Sequence, residues 1–195
     1  MKLNKHQHFK IYKPFNMLSQ FASNSTQQKR KRFLGELGDF PVNTMPIGRL
    51  DEKSEGLLLL TTDGKLSNFI NISGIEKEYY VLVDGVITEA QITTLQDGVE
   101  IGFDGKKYLT KSCKVFKLDS APILPERSKK IRDARHGPTS WVSITITEGK
   151  FRQVRKMTSA IGCPTLRLVR VRVGNIKLKN MQSSEVKALD IANLI

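Results

Sequence analysis

The sequence has few of the residues that mark secreted, membrane or disulfide-bonded proteins. Only two of its 195 residues are cysteine, Cys113 and Cys163, and they lie far apart. Two reduced thiols are therefore favoured over a disulfide or a metal site. No apolar run approaches the roughly 18 residues that span a bilayer, and the N-terminus lacks the apolar segment of a secretory signal. We expect a cytoplasmic protein with no membrane contact.

Motifs for cofactors and for common hydrolytic sites are also missing. The sequence contains no G-x-x-x-x-G-K-[ST], no G-x-G-x-x-G and no G-x-S-x-G, so nothing points to nucleotide cofactors or to a serine hydrolase. Its three histidines, His6, His8 and His136, do not have the spacing of a zinc site. We therefore expect neither a cofactor nor a bound metal.

Acidic residues are absent from two basic segments of the chain. The 32 lysines and arginines outnumber the 19 acids, which gives a net charge of +13. Residues 1–32 contain eight basic residues and no acid, and residues 150–172 contain seven and no acid. Such segregation favours a face that binds a polyanion, although a generally basic surface is the alternative.

The pattern of apolar residues predicts an α+β fold with a mixed, mainly antiparallel sheet and flanking helices. Residues 120–138, with three prolines and no clear period, are expected to be a solvated loop or an RNA-contacting arm. Residues 142–147 alternate as a strand does. The other expected elements are strands at Phe9–Tyr12, Gly56–Thr62 and Lys77–Gly85, helices at Thr26–Leu37, Lys65–Ile70 and Glu89–Gln96, and a loop at Gly38–Arg49.

The C-terminal third predicts a basic groove. A helix after Gly149 would carry Phe151 and Val154 on an apolar stripe, and Arg152, Arg155 and Lys156 on another. The following strand would place its arginines opposite its valines. A solvated face is the alternative for any single arginine. The expected RNA contacts are Lys13, Lys150, Arg152, Lys156, Arg170 and Arg172.

Asp51 is the carboxylate whose position suggests chemistry. It comes just before the continuous leucines Leu57–Leu60, so the backbone beneath it should be rigid. The residues alone leave open that Asp51, Glu52 and Glu55 are ordinary turn residues. Their spacing is only weak evidence for Mg²⁺.

Four blocks of the sequence resemble the pseudouridine synthases that modify ribosomal RNA. They are YKPFNMLSQF at 12–21, GRLDEKSEGLLLLTTDG at 48–64, KEYYV at 77–81 and EGKFRQVRKMTSAIGCPTLRLVRVRVG at 148–174. The resemblance is to the branch that contains the A-type enzymes for the small ribosomal subunit together with the B-, E- and F-type enzymes for the large one. The closing block looks most like the E-type. Tyr12 stands where the family usually has asparagine.

The resemblance implies a single catalytic domain over 1–195, with a central basic cleft and without a separate N-terminal RNA-binding module. It implies a monomer that isomerises uridine to pseudouridine in ribosomal RNA, with the large-subunit 23S RNA favoured as substrate, by base flipping and without a cofactor. Asp51 would be the catalytic carboxylate, and Arg155 would pair with it. Arg49 would help to hold the flipped nucleotide, and Tyr79 would lie against the uracil ring. A non-catalytic RNA-binding or ribosome-assembly protein and a basic DNA-binding protein are the alternatives.

Overall fold

Eleven strands and three α-helices make up the part of the chain that the computed structural model describes, residues 6–28 and 30–190. The strands are β1 (His8–Lys13), β2 (Met45–Ile47), β3 (Glu55–Thr61), β4 (Lys77–Asp84), β5 (Glu100–Phe103), β6 (Lys106–Leu109), β7 (Lys114–Lys117), β8 (Thr139–Ile146), β9 (Thr165–Val173), β10 (Ile176–Lys177) and β11 (Val186–Ala188). The helices are α1 (Gly64–Ile72), α2 (Glu89–Asp97) and α3 (Gln153–Ala160), and short 3-10 helices occur at Thr26–Gln28, Leu34–Leu37 and Ala134–His136.

One large sheet organises the described residues. Its main strand order is β11-β1-β3-β9-β4-β8-β7, with β2 paired to β3 and β10 paired to β9. All neighbours are antiparallel except β3 and β9. The hairpin of β5 and β6 forms a second, two-stranded sheet. The expected α+β fold with a mixed, mainly antiparallel sheet is confirmed. No helix in the described part of the chain is long and apolar enough to cross a membrane.

Strand β3 is buried on both faces, as its four leucines predict. Leu58 and Leu60 belong to one hydrophobic cluster, and Leu57 and Leu59 belong to the other. Helix α1 follows β3 directly, and the Asp63 side chain caps it by accepting hydrogen bonds from the backbone N–H groups of Lys65 (2.9 Å) and Leu66 (3.1 Å). The strand that follows Asp51 is therefore held by the core on both sides.

Gly56 brings the start of β3 against β9. The two strands pair in parallel through Glu55 opposite Val169 and Gly56 opposite Arg170. Gly56 has a φ of 100°, and a Cβ at this position would lie 2.3 Å from the Arg170 carbonyl oxygen. Only glycine fits so close an approach. This contact fixes the segment after Asp51 to the middle of the sheet.

The predicted helix at Thr26–Leu37 is wrong. The described residues of that range contain only the two short 3-10 helices. Backbone groups of this range bond to residues 18–20 instead. Leu18 donates its N–H to the Arg32 carbonyl oxygen (2.9 Å), and Leu34 donates its N–H to the Gln20 carbonyl oxygen (3.0 Å). Tertiary pairing has replaced the local hydrogen bonds that a helix needs.

Two smaller expectations also need correction. The range Gly38–Arg49 is not all loop, because it contains β2, which pairs with β3 at the edge where proline is tolerated. Phe151 does not belong to an apolar helical stripe. It precedes α3 and is 68% exposed. The remaining predicted strands and helices are confirmed, with ends that differ by up to three residues.

Candidate active site

The backbone just before Asp51 is fixed by a buried serine, and the turn after it is closed by a backbone hydrogen bond. Ser19 Oγ accepts a hydrogen bond from the Leu50 N–H (3.0 Å) and donates one to the Leu50 carbonyl oxygen (2.7 Å). The Ser54 N–H donates to the Asp51 carbonyl oxygen (3.0 Å), which closes the turn. Both ends of the turn are therefore held before the side chain of Asp51 makes any contact.

Lys13 ties the same turn to the segment after β1. Its Nζ donates to the carbonyl oxygens of Pro14 (3.0 Å), Met17 (2.7 Å) and Glu52 (3.4 Å). The side chain is completely buried, and this burial lowers the pKa of Lys13 to about 7. The expectation that Lys13 contacts RNA is therefore wrong for this conformation, because its ammonium group lies inside the protein and its hydrogen bonds hold the Asp51 turn.

Two arginines of the α3 region face the Asp51 carboxylate. Arg155 Nε lies 3.5 Å from Asp51 Oδ2, and Arg152 Nη1 lies 3.7 Å from the same oxygen. The Ser54 hydroxyl also donates to this oxygen over 3.4 Å. The Asp51 side chain is 21% exposed, so solvent or a ligand can reach it. The site thus presents one accessible carboxylate between two guanidinium groups.

Arg155 forms hydrogen bonds to the turn as well as facing the Asp51 carboxylate. Its Nη2 donates to the Lys53 carbonyl oxygen (2.7 Å) and to Ser54 Oγ (3.2 Å). Its Nε is buried and makes no hydrogen bond to any described residue. Burial lowers the pKa of Arg155, and the charge of Asp51 opposes that effect. A guanidinium remains charged despite such a shift, so Arg155 is a fixed cation beside Asp51.

Arg49 and Tyr79, the other residues expected at the site, lie in different environments. Arg49 precedes Asp51 by two residues and is exposed. Its guanidinium has no hydrogen-bond or ion-pair partner among residues 6–28 and 30–190, so it is free to meet a ligand. Tyr79 is 8% exposed on β4, and its Cα neighbours across the sheet are Ile144 and Arg170.

The arginines of β9 do not form the exposed row that the alternating pattern predicted. Arg170 is 3% exposed, and its Nε donates to the Leu57 carbonyl oxygen (2.8 Å). Arg172 is ion-paired to Glu76 (2.9 Å) and Glu78 (2.8 Å). The expectation of a solvent-facing Arg170 is wrong, because its side chain is buried and bonds to the backbone of β3. Arg172 is half-buried, and two carboxylates already neutralise it.

A buried ion pair near the turn was not expected from the sequence. Arg167 Nη2 lies 2.8 Å from Glu55 Oε1, and Arg167 Nε lies 3.1 Å from Glu55 Oε2. The Tyr12 hydroxyl donates to Glu55 Oε1 over 3.3 Å, which gives the unusual Tyr12 a structural contact. Burial and the charge of Glu55 raise the pKa of Tyr12. Glu52 instead pairs with Lys31 at 2.7 Å. No local sequence signal joins residues so far apart in the chain.

The start of α3 presents the remaining basic residues. Lys150 Nζ lies 5.0 Å from the ring centres of both Phe103 and Tyr108, and Lys156 Nζ donates to the Gly102 carbonyl oxygen (2.7 Å). Arg152 is exposed and takes left-handed backbone angles (φ 53°, ψ 33°). Arg152 therefore lies next to Asp51, whereas Lys150 and Lys156 lie against the β5–β6 hairpin.

The sheet thus carries an accessible carboxylate between two cations, an arrangement that suits nucleophilic or acid–base chemistry. A family model described as RNA pseudouridylate synthase matches residues 7–160. The chain belongs to that family, and the expected class, an isomerase of the pseudouridine synthase type, is confirmed.

Relatives agree with the resemblance seen in the four sequence blocks. The chain is 41% identical over 182 residues to ribosomal large subunit pseudouridine synthase E of Xanthomonas campestris pv. campestris, covering 92% of this chain and 94% of the relative. It is 42% identical over 170 residues to the enzyme of the same name from Xanthomonas axonopodis pv. citri, covering 86% of each. A crystal structure of a pseudouridylate synthase superposes with a TM-score of 0.78 at 25% identity, covering all of this chain and 76% of the other. The expected resemblance to the E-type enzymes is confirmed.

Proposed function

We propose that this protein converts a specific uridine of large-subunit ribosomal RNA to pseudouridine, with Asp51 as the catalytic carboxylate. The observation that carries the proposal is the placement of Asp51, accessible and 3.5 Å and 3.7 Å from two guanidinium groups, on a turn held at both ends. The names of its relatives, which refer to the large ribosomal subunit, support the choice of substrate. We further propose that it acts in the cytoplasm as a monomer.

The chemistry needs one carboxylate and no outside reagent. The N1–C1′ bond of the uridine breaks, the uracil turns, and a C5–C1′ bond forms. The hydrogen on C5 leaves as a proton and N1 gains a proton, so atoms and electrons balance without an oxidant. A carboxylate can attack C1′ or remove a proton from C2′, and both routes require Asp51 beside the sugar. The fixed cation Arg155 would keep that carboxylate aimed during either route.

The base must leave the RNA stack to reach Asp51. Flipping a nucleotide costs a few kcal/mol, which stacking and edge contacts in the protein must offset. Arg49, exposed and free of protein partners among the described residues, is placed two residues from Asp51 to hold the displaced nucleotide. We assign Tyr79 to the face of the uracil ring. Its low exposure means that this contact needs the ring edge to become more accessible when RNA binds.

The proposal treats residues 1–195 as one catalytic domain. Strand β9 follows the matched family range, yet it lies between β3 and β4 in the middle of the same sheet. The turn of Asp51 depends on this strand through Gly56 and through the Glu55–Arg167 pair. RNA contacts are assigned to Arg152 next to the carboxylate and to Lys150 and Lys156 against the β5–β6 hairpin.

Release of tritium from RNA labelled at uridine C5 tests the proposal. Wild-type protein should release tritium from a large-subunit ribosomal RNA transcript, and Asp51→Asn should not. Glu52→Gln is a matched control, because Glu52 is the adjacent acid and is 23% exposed against 21% for Asp51. It should retain the wild-type rate. Equal release by wild type and Asp51→Asn would overturn the proposal.

A further inference from the structure

A cavity of about 430 Å³ lies between the β5–β6 hairpin and α3. One wall is the hairpin backbone at Ile101 and Gly102, and the other wall contains Arg152, Arg155 and Lys156. Arg152 and Arg155 are also the two residues that face Asp51. A group bound in the cavity is therefore separated from the carboxylate by only one layer of side chains.

Cations line the cavity, and two aromatic rings lie beside it, next to the lining residue Lys156. Lys156 Nζ lies 5.4 Å from the ring centre of Phe151 and 6.0 Å from that of Phe103. Lys150 Nζ lies 5.0 Å from Phe103. The carboxylate of Glu100, which also borders the cavity, is paired with Lys107 at 2.8 Å. The net character of the surface is therefore positive and aromatic.

Phe151 is exposed and precedes a residue with unusual backbone angles. It is 68% exposed, although burying a phenylalanine side chain is favourable. The next residue, Arg152, has a φ of 53°, a conformation that non-glycine residues rarely adopt. Such strained positions concentrate at functional sites. An exposed ring beside a lysine is also the combination on which proteins stack unpaired bases while contacting the backbone phosphate.

We propose that this cavity and the Phe151 ring beside it bind an unpaired nucleotide next to the target uridine in the same RNA strand, with the base stacked on Phe151 and the phosphate contacted by Lys156. The assignment rests on the proposed function, because the shared residues Arg152 and Arg155 make the occupant a neighbour of the nucleotide at Asp51. A protein surface is a poorer occupant, since an unpaired base uses the exposed ring for stacking while its phosphate meets the cation. The flanking nucleotide thereby contributes to the choice of uridine.

Substitution of Phe151 tests the cavity. Loss of one base–aromatic contact should raise the RNA concentration for half-maximal tritium release by about 5- to 140-fold in Phe151→Ala. The release rate at saturating RNA should stay that of the wild type, because Phe151 does not touch Asp51. Phe151→Trp should bind RNA as wild type does, since any large ring supplies a stacking face.

Phe116→Ala is the matched control. Phe116 is 59% exposed and stands next to Lys117 on β7, a strand that contributes no residue to the cavity lining. This variant should behave as wild type, and far-UV circular dichroism should show all three variants folded. A Phe151→Ala protein with unchanged half-saturation, or a Phe116→Ala protein with an equal loss, would overturn the proposal.

A second measurement separates this proposal from the catalytic one. Fluorescence anisotropy with a labelled six-nucleotide oligoadenylate reports binding without any uridine. Weaker binding by Phe151→Ala supports the cavity even if wild-type protein releases no tritium, in which case only the proposed activity fails. Wild type and Phe151→Ala could instead bind oligoadenylate equally while the wild type releases tritium. That result would overturn nucleotide binding at the cavity and leave the proposed activity supported.

Discussion

Substitution of Glu55 should show how strongly the turn of Asp51 depends on the sheet beneath it. Glu55 is 2% exposed and Arg167 is 8% exposed, and they are joined by two hydrogen bonds of 2.8 and 3.1 Å. The change Glu55→Gln keeps the shape and removes the charge. Arg167 is then left as a buried cation that still donates to the Pro125 carbonyl oxygen, at 2.7 Å, but has lost its carboxylate.

The magnitude follows from the cost of breaking a buried ion pair. Removing one partner typically costs about 3–5 kcal/mol. The contact of Arg167 with Pro125 favours the lower end, about 3 kcal/mol. For a domain of this size, each kcal/mol lowers the melting temperature by about 2–4 °C, so Glu55→Gln should melt about 6–12 °C below wild type. The double variant Glu55→Gln/Arg167→Met should lose less than the sum of its single variants, because the stranded cation is gone.

Urea unfolding and thermal melts of wild type, Glu55→Gln, Arg167→Met and the double variant provide the assay. Glu100→Gln is the control, because Glu100 pairs with Lys107 at the surface, where the side chains are 55% and 82% exposed. Exposed pairs of this kind contribute little to stability, since water and salt screen them. If Glu55→Gln melted no lower than Glu100→Gln, or if the two losses at Glu55 and Arg167 were additive, the pair would not support the turn as argued.

Two further predictions concern the turn itself. Burial lowers the pKa of Lys13 from 10.5 to about 7 in the folded state, so between these values the unfolded chain holds more protons and the free energy of unfolding should rise with pH. In urea unfolding, the free energy of unfolding of Lys13→Met should rise less steeply with pH than that of wild type. Equal slopes would contradict the lowered pKa of Lys13. Arg155→Ala should reduce the single-turnover rate far more than RNA affinity, because Arg155 faces Asp51 and holds its turn. A filter-binding loss without a rate loss would make Arg155 a simple phosphate contact.

The strands and helices that the sequence predicts well are those with strong local patterns. Leu57–Leu60 indicated a strand buried on both faces, and the short helix expected at Lys65–Ile70 is present as α1. The segment at 26–37 looked helical by the same rules. Its backbone groups instead pair with residues 18–20, and no local pattern records that choice.

The roles of side chains at the site were harder to predict. Alternation along a strand shows which residues share a face, but it does not show whether that face is buried. The alternation in β9 correctly placed Arg170 on the side opposite the valines. It did not predict that Arg170 is buried and bonded to the Leu57 carbonyl oxygen. The pairing of Asp51 with Arg155 was expected only from the family resemblance, because the two residues lie far apart in sequence. Ser19 and Lys13, which fix the turn, carried no signal of that role.

The most direct test of the central claim measures RNA binding and chemistry on the same variants. With enzyme in excess over large-subunit ribosomal RNA, pseudouridine is counted after nuclease digestion and chromatography of the nucleosides, and RNA affinity is measured by filter binding. We predict that Asp51→Asn binds RNA at least as well as wild type and forms no pseudouridine. Glu52→Gln should match wild type in both RNA affinity and pseudouridine formation. Formation of pseudouridine by Asp51→Asn at the wild-type rate would contradict the assignment of Asp51.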